Sequence, residues 1–242
     1  MIKKKELQGN QLIGALPTEI QDLLLPHLHI VQMPLGKILY GPGDKLEHVF
    51  FPIDCIISLL YVMEDGATAD ISVVGNEGIV GIAVFMGGES TPSRAIVQSA
   101  GNAFVLPASR LKEAFNQDSM TRLILLRYTQ SLITQMAQTA VCNRHHAIDQ
   151  QICRWLLLSL DRLSGNELVM TQELMASMLG VRREGITVAA GKLQKLGVIE
   201  YRRGHITILD RNKLESLCCE CYAVVKAESD RLMADVSTYV KT

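Results

Sequence analysis

The chain of 242 residues is poor in aromatics, at 5% with a single tryptophan, so a platform of stacked rings for single-stranded bases is not available. No sign of charge dominates. With 24 basic and 25 acidic residues the formal net charge is -1, which taken as an average argues against a nucleic-acid partner. Six cysteines (Cys55, Cys142, Cys153, Cys218, Cys219, Cys221) are too sparse for a disulfide scaffold. Long apolar runs are missing too: Cys55 to Met63 and Gly78 to Gly88 fall short of the roughly 18 apolar residues that span a membrane. The basic start Lys3-Lys4-Lys5 is followed by Glu6, Gln8 and Asn10, not by the apolar core of an export signal. A cytoplasmic protein with no membrane partner is therefore expected. At 48% hydrophobic and 20% charged, the composition is that of one large folded domain or two small ones.

What is present divides the chain in three. From about Leu28 to Pro107, β-rich runs (Val49 to Phe51, Ile56 to Val62, Ala69 to Val74, Arg94 to Gln98, Ala103 to Leu106) alternate with turn signals such as Gly41-Pro42-Gly43-Asp44. That spacing predicts a small sandwich or barrel. A helix is expected before it, Pro17 to Leu25, with Ile20, Leu23 and Leu24 on one face. Between Ser109 and Asn143 the turn residues vanish, and an uninterrupted helix is predicted. Leu126, Thr129, Ile133, Met136 and Ala140 recur at spacings of three and four, beside a second seam through Leu125, Tyr128, Leu132, Gln135 and Thr139. Two stripes must bury two sides, so the first is assigned to a second copy of the chain and the other to the barrel. A single core helix of a monomer is the alternative. The third part, from about His146, opens with an amphipathic helix, Ile148 to Leu163, around Trp155.

Residues Thr171 to Lys195 keep the register of a helix-turn-helix. Thr171 suits an N-cap, Ala176 permits close approach of two helices, and Gly180 suits the left-handed residue that ends the first. Met175, Leu179, Val181, Ile186 and Ala189 are spaced to fill the core between them. Arg182, Arg183 and Glu184 open the second helix, the turn that meets base edges when such a helix enters a major groove, and Thr187 follows on the same helix. Arginine fits guanine O6 and N7, and glutamate accepts from cytosine N4. Lys192 and Lys195 are placed for phosphates. Two short strands, Val198 to Tyr201 and Ile206 to Leu209, flank the basic turn Arg202-Arg203-Gly204-His205 and predict a wing. Residues 171–209 hold six bases against three acids, whereas 38–108 hold eight acids against two bases, Lys45 and Arg94. The near-neutral average conceals a basic head and an acidic barrel, and only the head needs to face DNA.

This order of parts resembles the cyclic-AMP receptor protein/FNR family of transcription regulators, over about Pro17 to Leu209. The most specific points are the run from Pro34 to Asp44, the strand ending Val49-Phe50-Phe51, the run from Gly75 to Gly81 and Gly180-Val181-Arg182-Arg183-Glu184. The resemblance implies an α+β fold: a cyclic-nucleotide-binding-like β-barrel (jelly roll), a long dimerisation helix and a C-terminal winged helix-turn-helix. The boundaries are 1–108 for an effector-sensing barrel with its N-terminal helix, 109–143 for the dimerisation helix, and 144–242 for the DNA-binding domain with a helical extension. It further implies a homodimer on a palindromic operator of double-stranded DNA, contact with RNA polymerase, and no catalytic residues.

Within the family, Arg183 and Glu184 fall where the cyclic-AMP receptor places its guanine- and cytosine-reading pair. Val188 stands where another arginine is frequent and Arg182 where a small polar residue is common, which implies a different operator. Cyclic-nucleotide binders hold the ribose with Gly-Glu and the phosphate with an arginine beside a small residue. Here Gly81 matches, Ile82 replaces the glutamate, and Arg94 matches between Ser93 and Ala95. Cyclic AMP is therefore not the expected ligand. An anionic effector at Gly81, Ser93, Arg94 and Ala95 is, unless Arg94 serves a structural salt bridge with a barrel acid. The first cysteine is Cys55, so the N-terminal iron–sulfur cluster of one branch of the family is not expected.

Other readings stay open at this level. The barrel of a constitutive DNA-binding regulator would be scaffold only. A cupin-like enzyme carrying a DNA-binding domain would need clustered histidines, and the barrel offers only His48 after the initial helix. Cys218, Cys219 and Cys221 are read as small buried hydrophobes, with oxidant sensing or metal binding as the alternative. His145-His146 is read as a surface pair, and no metal site is assigned.

Overall fold

The computed structural model describes residues 2–163 and 165–239, with side chains to residue 234. Asn10 anchors the N-terminal segment. Its carboxamide oxygen accepts the Leu12 and Ile13 N–H groups that open α1 (Gln11–Gly14), and its NH2 donates to the carbonyls of Pro52 and Gly78 at 2.8 and 2.9 Å. Helix α2 (Thr18–Leu24) buries Ile20 and Leu24, while Leu23, expected on that face, is exposed.

Seven strands follow: β1 (His29–Met33), β2 (Ile38–Tyr40), β3 (His48–Pro52), β4 (Ile56–Val62), β5 (Thr68–Val74), then the short helix α3 (Ala83–Met86), β6 (Arg94–Ser99) and β7 (Gly101–Pro107). They pair antiparallel in two sheets, β1-β7-β3 and β2-β6-β4-β5. The sheets do not close into the expected barrel; they form a jelly-roll-like sandwich. Its interior is filled by Phe51, Ile57, Val74, Phe104 and Leu106, inward-facing members of alternating strands.

The long helix is broken once. Asp118 is extended between α4 (Ala108–Gln117) and α5 (Ser119–His145), and its carboxylate accepts the Thr121 N–H at 2.6 Å. An aspartate N-cap favours a new start over continuation. The seam Leu125, Tyr128, Leu132, Gln135 and Thr139 is buried. Beyond it come α6 (Ile148–Leu160), β8 (Glu167–Val169), α7 (Gln172–Leu179), α8 (Arg183–Lys195), β9 (Ile199–Arg202), β10 (His205–Ile208), α9 (Arg211–Leu217) and α10 (Glu220–Tyr239). The final helix runs back along α5. Among the described residues, no helix is long and apolar enough to cross a membrane.

Strand β5 forms one edge of its sheet, and edge strands leave backbone groups unpaired. Gln135 of α5 covers two of them: its carboxamide accepts the Val73 N–H at 2.7 Å and donates to the Val73 carbonyl at 3.2 Å. At the other end of the strand, the Thr68 hydroxyl donates to the Ser177 carbonyl at 3.2 Å and shares a 2.5 Å hydrogen bond with the Ser177 hydroxyl. Past the end of the strand, Arg162 after α6 pairs with Glu77 at 2.7 Å, and Arg154 of α6 donates to the Thr139 hydroxyl of α5 at 3.1 Å.

Asp70 is fully buried in this junction, where burial pushes its carboxyl up to about 8 against the opposing effects of the Ser58 hydroxyl and Arg154. The folded protein then holds a proton that the unfolded chain releases near about pH 4. Stability from this group is complete below that pH and is lost as pH rises through about 8, at up to about 1.4 kcal/mol per pH unit. Asp70→Asn should therefore flatten the pH dependence of the denaturation midpoint between about pH 5 and 8. Equal slopes in variant and wild type would show instead that Asp70 is ionised at neutral pH.

Candidate nucleic-acid interface and sensor cavity

The head is assembled by local chemistry legible residue by residue. The Thr171 hydroxyl accepts the Leu174 N–H at 3.1 Å and starts α7. Gly180 ends it in the left-handed region, with φ 64° and ψ 32°. Met175, Ala176, Leu179, Ile186 and Ala189 are buried between α7 and α8, and Val181 is half-buried, joined by Met178, Ala190 and Leu193. The wing has three strands in the order β8-β10-β9, the first of which the sequence pattern does not reveal. Its tip is Arg203-Gly204, both at positive φ, as a tight two-residue hairpin requires.

With the core so filled, α8 and the wing leave a set of polar side chains without packing duties. Arg182, Arg183, Glu184, Thr187, Lys195, Arg202 and Arg203 are all exposed. The Arg183 side chain is 64% exposed, and among the described residues its one ion pair, to Glu173 of α7, is loose at 3.9 Å. Such a surface pair holds little energy and yields readily to a better acceptor. The Thr187 hydroxyl donates to Gln172 or to the Arg183 carbonyl, at 2.8 and 3.1 Å. Val188, one helical turn past Glu184, is 73% exposed, an unusual posture for valine. Lys192 stands apart: its ammonium is bound to the Asp149 carboxylate at the start of α6, which holds its pKa above the ordinary lysine value. It is thus engaged within the chain, unlike the free phosphate contact its sequence position implies.

Inside the sandwich lies a cavity of about 110 Å³, bounded by β-strand side chains and by Leu132 and Met136 of α5. Gly81 and Ser93 line it, as does Ile82 in place of the expected acid. The hydroxyls of Tyr40, Thr91 and Ser93 supply polarity, and burial pushes the Tyr40 phenol up to about 12, so it stays neutral. Arg94 is not in the lining. Side chains alternate along β6: Ala95 and Val97 face the interior core, so Arg94, paired across from Leu60, falls on the opposite face. Among the described residues Arg94 makes no carboxylate pair, and its Nε is buried without a hydrogen-bond partner.

The stripe assigned to a second copy splits. Leu126 and Ile133 are 46% and 48% exposed and Ala140 is exposed, as a dimer seam would be in a single chain. Thr129 is buried, its hydroxyl donating to the Leu125 carbonyl, and Met136 turns into the cavity. The difference has a geometric source. With 3.6 residues per turn, positions 136 and 129 fall nearest in angle to the centre of the buried seam, while 140, 133 and 126 turn progressively farther from it.

Cysteine and histidine placement departs most from the expected pattern. Cys142, His146, Cys219 and Cys221 come together, the cysteines buried and His146 half-buried, whereas Cys218 and His145 stay outside the group. A signal was present in the spacing Cys142-x3-His146 and Cys219-x-Cys221, but the segments lie 77 residues apart. Among the described residues this is the one group of three or more metal-capable side chains, and it lies outside the sandwich.

A cyclic nucleotide-binding domain model matches residues 30–118, and a Crp-like helix-turn-helix domain model matches residues 150–217. The chain is 20% identical over 193 residues to a global nitrogen regulator of Synechococcus elongatus, covering 76% of this chain and 86% of that protein. A global nitrogen regulator of a Nostoc species matches at 20% over 72% of this chain and 82% of its own. Among solved structures, FixK2 from Bradyrhizobium japonicum superposes with a TM-score of 0.66 at 16% identity, covering 79% of this chain and 98% of that one. A CRP/FNR-family transcriptional regulator from Thermus thermophilus gives 0.62 at 20% identity, covering 78% and 97%.

The turn between α7 and α8 is open to a direct test. Gly180→Ala forces a side chain into the left-handed region and should cost the head about 1 kcal/mol in denaturant unfolding. An unchanged midpoint would show that the turn relaxes into another conformation.

Proposed function

We propose, for a chain that belongs to the cyclic-AMP receptor protein/FNR family of DNA-binding transcription regulators, that two copies joined along α5 set their α8 helices into successive major grooves of a palindromic operator. The observation that carries this reading is the start of α8, where the N-cap residue Arg182 and the first-turn residues Arg183 and Glu184 project without a role in the core. Arg183 reads a guanine and Glu184 a cytosine, with the wing arginines on the flanking backbone. Val188 presents its methyl groups to a thymine methyl, where an arginine would have read a guanine. Leu126, Ile133 and Ala140 supply the contact between copies.

The chain acts by binding, not by catalysis, in the cytoplasm where DNA and RNA polymerase are its partners. The two curated relatives are likewise named as regulators. The sandwich cavity, at about 110 Å³, is below the roughly 300 Å³ at which ligand pockets begin. That volume, the absence of a charged lining among the described residues and the outward Arg94 all disfavour cyclic AMP and shift the effector toward a small, mostly apolar molecule held by hydroxyls. An anion bound by Arg94 would need another site, on the outer face of the sheet. The same small cavity also favours the second reading, a constitutive regulator whose sandwich is scaffold. A thermal-shift screen of cyclic AMP, other anions and small apolar compounds, with and without operator DNA, separates these readings.

Arg183→Ala should cost about 1–3 kcal/mol of specific binding and relax base choice at one position in each half-site. Equal loss on specific and random DNA would reduce Arg183 to a phosphate contact. Ile133→Asp places a charge in the proposed seam and should convert a dimer to a monomer in sedimentation. Persistence of the dimer would put the interface elsewhere.

A further inference from the structure

Four side chains from two distant segments converge where α5 ends and α10 begins. Cys142 lies in the last turn of α5 and His146 caps it, four residues on, so both reach the same side of the helix end. Cys219 and Cys221 flank the start of α10. One potential ligand atom from each lies within 4.8 Å of all the others. Cys142 Sγ is 3.6 Å from Cys219 Sγ, and Cys221 Sγ is 3.5 Å from His146 Nδ1.

Those spacings decide between chemistries. A tetrahedral ion with metal–sulfur bonds of about 2.3 Å and metal–nitrogen bonds of about 2.0 Å sets its ligands about 3.5–3.8 Å apart. Both measured edges match. An iron–sulfur cube binds each cysteine to a different iron, so its thiolates stand farther apart than those sharing one ion. Buried thiols acting only as small hydrophobes would have no use for an imidazole turned toward them. The histidine is also oriented as a ligand should be: with Nδ1 on the thiols, its Nε2 faces the Glu220 carboxylate at 3.3 Å. A metal-bound histidine commonly donates its second N–H to a carboxylate in this way.

The backbone under the site is equally constrained. The buried Gln151 donates from its carboxamide NH2 to the His146 carbonyl at 2.9 Å and reaches the Cys142 carbonyl at 3.5 Å, holding the turn between α5 and α6. Arg154, buried one helical turn further along α6, supplies positive charge beside Cys142.

We propose that Cys142, His146, Cys219 and Cys221 form a tetrahedral site for a divalent zinc-type cation, which pins the C-terminal helix to the hinge between sandwich and head. Binding replaces three thiol protons by one ion, releasing three protons and leaving a net charge of -1 on the site, which Arg154 offsets. The link closes a loop of 77 residues that contains the whole reading head. Its effect is thus to hold the start of α10 against the end of α5. Cys218, Cys55 and Cys153 take no part.

Zinc and cobalt are the probes. The full chain, purified under reducing conditions from zinc-supplemented medium, should carry one Zn2+ per chain by elemental mass spectrometry. Titrating the reduced, metal-free chain with Co2+ should give visible d–d bands and a thiolate charge-transfer band, saturating at one equivalent. Cys221→Ser and His146→Ala should lose most of the bound zinc, while Cys218→Ser should keep all of it. Because a buried variant can fail to fold, the wild-type Co2+ titration stands on its own. The proposal is overturned if that titration gives no tetrahedral spectrum. It is also overturned if Cys218→Ser loses zinc as fully as Cys221→Ser. A third overturning result is a Cys142–Cys219 disulfide in metal-free protein that takes up no Co2+ after reduction.

Discussion

The free edge of the four-stranded sheet is the constraint on which the rest of this structure depends. Strand β5 has no further strand to pair with, and its exposed backbone must be satisfied by something else. Gln135 supplies the answer at Val73 by closing both of its backbone groups, and at the other end of the strand the Thr68 side-chain hydroxyl ties β5 to Ser177 of the head. One strand therefore joins the sandwich, the long helix and the first helix of the reading motif. Asp70 and Ser72 of the same strand border the buried pocket that Arg154 and Trp155 of α6 also line. The head is not a free appendage on a hinge. It is docked against the sandwich by polar contacts on one side and by α6 on the other.

This arrangement makes the path from cavity to head short. Leu132 and Met136 line the cavity, Gln135 lies between them in sequence and grips β5, and Thr139 accepts from Arg154 of the head's first helix. All four stand on a single stretch of α5 little more than two turns long. A shift of that stretch large enough to refill the cavity also disturbs the bonds that seat the head. Because the exposed Leu126 and Ile133 stand on the same helix, such a shift would be felt at the proposed contact between copies as well. The polarity of charge fits the same plan: the sandwich is acidic, and the basic head is the part suited to the DNA backbone.

Local motifs were legible in the sequence because each has a one-residue cause. Thr171 as cap, Gly180 as left-handed terminus and the apolar spacing from Met175 to Ala189 needed no knowledge of distant parts, and the structure places each accordingly. Strands β1, β2 and β8 were not legible, since they are short or half-exposed and make sense only opposite their partners. The break at Asp118 was missed because one capping aspartate stood among helix formers. Arg94 illustrates a different failure: a single position of strand register decides which face a residue serves, and no composition or spacing around it reveals that. The grouping of Cys142 with Cys219 lay further out of reach, because it depends on how the last helix folds back on the longest one.

In the proposed dimer, a head fixed to the sandwich edge and a rigid helix shared between copies together fix the distance between two reading helices. Selection of binding sites from random DNA by the purified full chain tests this most directly. The account predicts inverted repeats with a single spacing between half-sites, one helical turn or about 34 Å from centre to centre. Isolated half-sites, or repeats recovered at many spacings, would show that the heads move freely and that the docking on β5 does not govern how this protein reads DNA.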